Sequence, residues 1–133
     1  VTDELGFYRA WFRAAAVYNL AWGAAVIAFP EPLSRLAGLD VTGVTPLVQV
    51  IGMMVGVYAI GYWLLGSDPL RYSGLIWVAL AGKMLGPAGF LYYALAGTLP
   101  WKFGWTCVFN DIVWWPVFWS FALRYGGVTS RRT

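Results

Sequence analysis

Apolar residues run through the chain in four long blocks, at about 7–29, 46–65, 72–95 and 103–125, each broken by only a few polar positions. Each block is close to the ~20 mainly apolar residues that an α-helix needs to cross a bilayer. The breaks are short and carry stop signals. FPEPLSRLAGLDVTGVT joins the first two blocks, with Pro30, Pro32, Gly38 and Gly43 inside it and room for one short interfacial turn. GSDPLR joins the second and third, where Asp68 reads as an N-cap and Pro69 as a first-turn proline. AGTLPWK joins the third and fourth, with Gly97 and Pro100 ending one helix and preparing the next. Short links between long helices predict antiparallel neighbours. The expected fold is all-α: a polytopic membrane protein, one domain, an antiparallel bundle of four transmembrane helices.

Composition narrows this further. Of 133 residues, 60% are hydrophobic and 11% charged, against about a quarter charged in an ordinary soluble domain. A soluble fold could not cover that much apolar surface. No secretory signal peptide is evident: the first block is too long for an h-region and lacks a cleavage pattern. The net charge of +3 comes from basic residues gathered at helix ends, which is the pattern of lipid anchors and topology signals, not of nucleic-acid binding.

The same residues set the orientation. Arg9, Arg13, Arg71, Arg124, Arg131 and Arg132 fall at the end that holds both termini, and Arg35 and Lys102 at the other. By the positive-inside tendency, both termini are expected in the cytoplasm of a bacterial inner membrane. Trp11, Trp63, Trp101, Trp105 and Tyr125 fall near the predicted boundaries, as interfacial anchors do.

The remaining basic residue, Lys83, stands inside the third block, about eleven residues from its start. Asp111 stands about eight residues into the fourth, counted from the opposite side. At about 1.5 Å per residue the two lie within a few ångström in depth. An isolated charge there costs several kcal/mol, so the pair is expected to face inward together. Asn19, Asn110 and Gln49 bring amides to the same central or outer half, beside small residues such as Gly23, Gly52 and Gly86 that permit close helix approach. Pro87 withdraws the helical hydrogen bond from the carbonyl of Lys83, and Pro116 from that of Ile112; both are expected to kink their helices beside the charged level.

Two uses of this layer stay open: a structural ion pair that fixes helix register, or a site for a ligand, ion or proton. Glu31 and Asp40, in the long outer connection, are expected to be solvated or paired with Arg35. The chain has no His and one Cys, Cys107. No internal disulfide can form, no His-ligated haem or protein metal site is expected, and Cys107 lacks the His partner of a nucleophile. Enzymatic chemistry would have to come from Lys and Asp alone, which points away from an enzyme.

Nine Trp with eight Phe and eight Tyr exceed what boundary anchoring needs. Trp22, Trp77, Trp114, Trp115 and Trp119 are expected to point into hydrocarbon and to contact a ligand or partner. The function expected is therefore an accessory or structural subunit of a larger membrane complex, or a homo-oligomer, in contact with non-covalent pigment, quinone or lipid. The alternative is a proton-coupled small-molecule transporter or channel built on Lys83 and Asp111.

Over nearly its whole length the chain resembles small bacterial four-helix membrane proteins of the DoxX-like sort. The resemblance rests on YNLAWG in the first block, QVIGMMVGVYAIGYW in the second, GKMLGP in the third and NDIVWWP in the fourth. It is strongest to a set sharing GKxxGP and NDxxWW. It implies the bundle, a polar centre of Asn19, Gln49, Lys83, Asn110 and Asp111, and a place among accessory and redox-associated membrane proteins.

Overall fold

The computed structural model describes residues 2–127, and Arg131 and Arg132 lie outside them. The described residues contain α1 (Thr2–Ala28), α2 (Pro30–Leu36), α3 (Thr45–Ser67), α4 (Leu75–Leu95), α5 (Gly104–Asn110) and α6 (Trp115–Tyr125). Single 3-10 turns at Trp101–Phe103 and Ile112–Trp114 precede α5 and α6. The chain is all-helical. Helices α3 and α4 are each long and apolar enough to cross a membrane, and α1 with α2 would supply a third span if the bent pair counts as one.

Local chemistry explains where these helices begin and end. Pro30 cannot continue α1, and it drives Phe29 out of the helical region to φ −131° and ψ 57°, so α2 leaves α1 at 108°. Pro46 sits in the first turn of α3, where its missing N–H costs nothing. The Asp68 carboxylate accepts from the Arg71 N–H at 3.2 Å, so it caps a single turn that precedes α4. At the far end of α4, Gly97 takes φ +78°, the Gly97 N–H reaches the Ala94 carbonyl and the Thr98 N–H the Tyr93 carbonyl. That pair of bonds is a Schellman stop.

The last block is not one helix. It breaks at Asp111 (φ −121°, ψ −61°), between α5 and α6, which are 7 and 11 residues long. The expected continuous helix at 103–125 is thus corrected to two short ones. The interruption lies about a turn before Pro116, which occupies the first turn of α6 instead of kinking a helix interior. Pro87, in contrast, sits within α4, which continues as helix from Leu75 to Leu95.

Helices α1 and α3 pair antiparallel along their length, so closely that a Cβ on Gly23 would lie 2.5 Å from the Gly52 carbonyl oxygen. Helix α4 pairs with α5 and α6. The two pairs meet mainly at the end where α1 begins and α6 finishes. There Phe12, Leu65, Ile76, Phe118 and Phe121 are fully buried. Phe12 and Phe121 meet edge to face with centroids 4.9 Å apart, and Phe12 and Phe118 at 5.5 Å. Tyr8 shares a hydrogen bond with Ser120 at 2.6 Å, and Glu4 accepts from Arg124 and from the Tyr125 hydroxyl, tying α1 to α6. Arg9, Arg13, Arg71 and Arg124 lie at this end, and Arg35 and Lys102 at the other.

Candidate functional site

Above the aromatic end, the packing gives way to a buried polar layer. Lys83 projects from the middle of α4, with its side chain 2% exposed. Its ammonium donates to the carbonyl of Asn110 at 2.5 Å, lies 3.8 Å from Asp111 Oδ1, and stands 5.4 Å from the Tyr62 ring centroid. The nearest partner is therefore a backbone carbonyl. Asn110 is the last residue of α5, so its carbonyl has no continuing helix to pair with. Lys83 supplies the missing donor and sets a positive charge at the negative end of that helix.

A second bond runs the opposite way. Pro87 leaves the Lys83 carbonyl without its helical donor. Trp115, in the first turn of α6, donates its indole N–H to that carbonyl at 3.0 Å. Each helix defect is thus satisfied by the element across from it.

Asp111 takes its place from the break itself. Its Oδ1 faces Lys83 and accepts from Asn110 Nδ2 at 3.4 Å. Its Oδ2 lies against Gly86, where a Cβ would approach to 2.9 Å. The G82xxxG86 spacing consequently serves side chains, since Gly82 admits the Tyr58 ring and Gly86 the carboxylate. Asn19, 3% exposed, donates from Nδ2 to the Val55 carbonyl at 3.2 Å. Neither Asn19 Oδ1 nor Asn110 Oδ1 has a hydrogen-bond partner in the protein.

Two cavities meet at this layer. One, of about 350 Å³, is walled by Asn19, Tyr58, Tyr62, Gly82, Lys83 and Asp111. The other, of about 340 Å³, is mainly apolar and runs past Trp22, Leu33, Val48 and Cys107 beneath α2. Ile51, Val55, Gly86, Asn110 and Asp111 belong to both walls. Together they form one groove with its polar part at mid-helix depth.

The structure thus brings Lys83, Asp111, Asn110 and Asn19 together. Gln49 stands apart, donating to the Ile27 carbonyl at 3.0 Å near the end of α1. The tryptophans divide. Trp22 lines the groove. Trp77 donates to the Gly126 carbonyl at 3.0 Å and packs edge-on to Trp119, both facing outward. Trp114 turns inward instead, 7% exposed between Trp11, Tyr18 and Phe118, and Trp115 is half-buried against α4. The outward expectation for Trp114 is corrected: it belongs to the buried series Cys107, Asp111, Trp114, Phe118 and Phe121, three or four residues apart, so the three tryptophans do not share a face. Tyr58 and Tyr62 were not singled out as site residues by the sequence; the signal for them was that they lie one turn apart.

Glu31 and Arg35 pair at 3.9 Å on the exposed face of α2. Among the described residues, no group of three or more Cys, Asp or Glu is placed to hold a metal ion. Comparison with protein-family models, curated proteins and solved structures gives no significant match.

Proposed function

We propose that this is a small integral membrane protein of four spans, the fourth broken at Asp111, that holds an elongated lipophilic molecule and serves as an accessory subunit of a larger membrane assembly. The observation that carries the reading is the groove: two confluent cavities of about 350 and 340 Å³, mainly apolar, ending on a few convergent polar groups. That size and lining are those of a small-molecule site. The depth of the polar layer and the apolar walls suit a quinone, pigment or lipid lying along the bundle.

The four-span reading is supported by the length of α3 and α4 and by the paired satisfaction of both backbone defects. The GKMLGP and NDIVWWP motifs supply the two halves of that pairing. The distribution of arginines supports an inner-membrane location with cytoplasmic termini. A conducting path is less well supported, because the Lys83 ammonium is engaged as a helix cap and the aromatic packing closes one end.

Native mass spectrometry of the mildly solubilised protein, with its absorption spectrum, tests the reading. A stoichiometric lipophile, pigment or partner subunit is the expected result. A bare monomer or homo-oligomer under conditions that retain lipids on other membrane proteins would overturn it.

A further inference from the structure

The free polar atoms of the groove are unequal in kind. Asn19 and Asn110 each donate through Nδ2 to an atom that can only accept, a backbone carbonyl and a carboxylate. This fixes the orientation of both amides, because a flipped amide would set oxygen against oxygen. What remains is Oδ1 of each, an acceptor without a partner and without open surface. Asp111 Oδ2, beside Gly86, is the acceptor on the groove wall.

Within the polar layer the fixed cationic donor, the Lys83 ammonium, is turned to the Asn110 carbonyl, Asp111 Oδ1 and the Tyr62 ring; the Trp22 indole N–H, also a fixed donor, lines only the apolar cavity. The hydroxyls of Tyr58 and Tyr62 can donate or accept and do not shift the balance. Formal charge also cancels between Lys83 and Asp111, so nothing in the layer calls for an ionic guest. A buried acceptor left unsatisfied is costly in a medium without water. Facing such acceptors with a carbonyl oxygen leaves them unsatisfied and adds repulsion.

We infer that the groove selects a lipophile whose head is a neutral hydrogen-bond donor, a hydroxyl, over the corresponding carbonyl compound. The hydroxyl donates to Asp111 Oδ2, and the apolar tail lies past Ile51 and Val55 toward Trp22. An aliphatic alcohol and a diphenol share this head chemistry. The inference rests on the lipophile-holder reading and names the chemistry of its guest.

The test uses the purified full chain in mild detergent with two matched pairs: a long-chain primary alcohol against the methyl ketone of equal length, and a tailed hydroquinone against its quinone. Adducts are titrated by native mass spectrometry. The hydroxyl member is expected to bind at least about tenfold more tightly in one or both pairs. Selection in the first pair alone identifies an aliphatic alcohol, and in the second alone a phenol. Gly86→Ala sets a carbon 2.9 Å from Asp111 Oδ2 while leaving both backbone bonds intact; it is expected to abolish the preference in a protein that still folds. Equal binding of both members, or a preference that survives Gly86→Ala, overturns the inference and leaves the holder reading standing. Failure of every lipophile to bind removes the holder reading itself.

Discussion

The indole N–H of Trp115 lies 3.0 Å from the carbonyl oxygen of Lys83, the carbonyl that Pro87 deprives of its helical partner. A proline in one helix and a tryptophan in another are therefore one unit. Trp115→Phe leaves that buried carbonyl unpaired and is expected to cost about 1–3 kcal/mol. In a Pro87→Ala background the restored amide at residue 87 takes over the bond, and the same substitution should cost close to nothing. Denaturant unfolding in micelles across the double-mutant cycle reads the coupling; equal costs in both backgrounds would refute it.

Lys83 serves a carbonyl and a carboxylate together. Removing it by Lys83→Met uncovers both, with an expected loss of about 3–5 kcal/mol. If the lysine were only half of an ion pair, Asp111→Asn in the same chain would restore the balance. Because the Asn110 carbonyl still lacks its cap, the double variant is expected to remain about 1–3 kcal/mol less stable than Asp111→Asn alone. The same unfolding assay, run on the four chains, decides between the two accounts.

The tight pairing of α1 with α3 predicts a sharp contrast between glycines. At Gly23 an added Cβ meets the Gly52 carbonyl oxygen at 2.5 Å, whereas at Gly61 nothing lies within 4 Å. Gly23→Ala is expected to destabilise by about 1–3 kcal/mol through overpacking. Gly61→Ala is expected to be neutral or to stabilise by up to about 1 kcal/mol through helix propensity. Thermal melts of the two variants provide the comparison.

At the end where α1 begins and α6 finishes, the Tyr125 hydroxyl and the Arg124 guanidinium hold the Glu4 carboxyl below its ordinary pKa of 4.5. A lowered folded-state pKa means that the contribution is present above the unfolded value and disappears as pH falls through the folded one. Glu4→Gln should therefore melt below the parent at neutral pH, with the gap closing once the pH drops beneath the carboxylate range. A gap that persists in acid would show that packing, not charge, holds this corner.

Much of this arrangement could be read from the residues, and the failures have separate causes. The second block, expected at about 46–65, forms α3 (Thr45–Ser67), because a long apolar run with Pro46 at its start leaves little freedom. Lys83 and Asp111 were legible as neighbours because a charge in an apolar run needs a partner at its own depth. The break at Asp111 was hidden, since hydropathy does not change when an apolar helix is interrupted. Trp114 was grouped with Trp115 and Trp119 by residue type, although it stands three residues after Asp111 and so on the face of that buried carboxylate. Pro116 held the missing clue: a proline fits most easily in the first turn of a helix, and Asn110 with Asp111 just before it are poor formers of a helix interior. Gln49 failed differently. Its depth was inferred without its direction, and it turns along α3 to cap the end of α1.

The division of the bundle into an α1–α3 pair and an α4–α5–α6 group, packed most tightly where Phe12, Phe118 and Phe121 interlock, makes it a clasp with unequal ends. A broad aromatic seal closes one end, and at the other the turn at Gly38 meets Pro100 and Lys102, so the groove lies between a wide fastening and a narrow one.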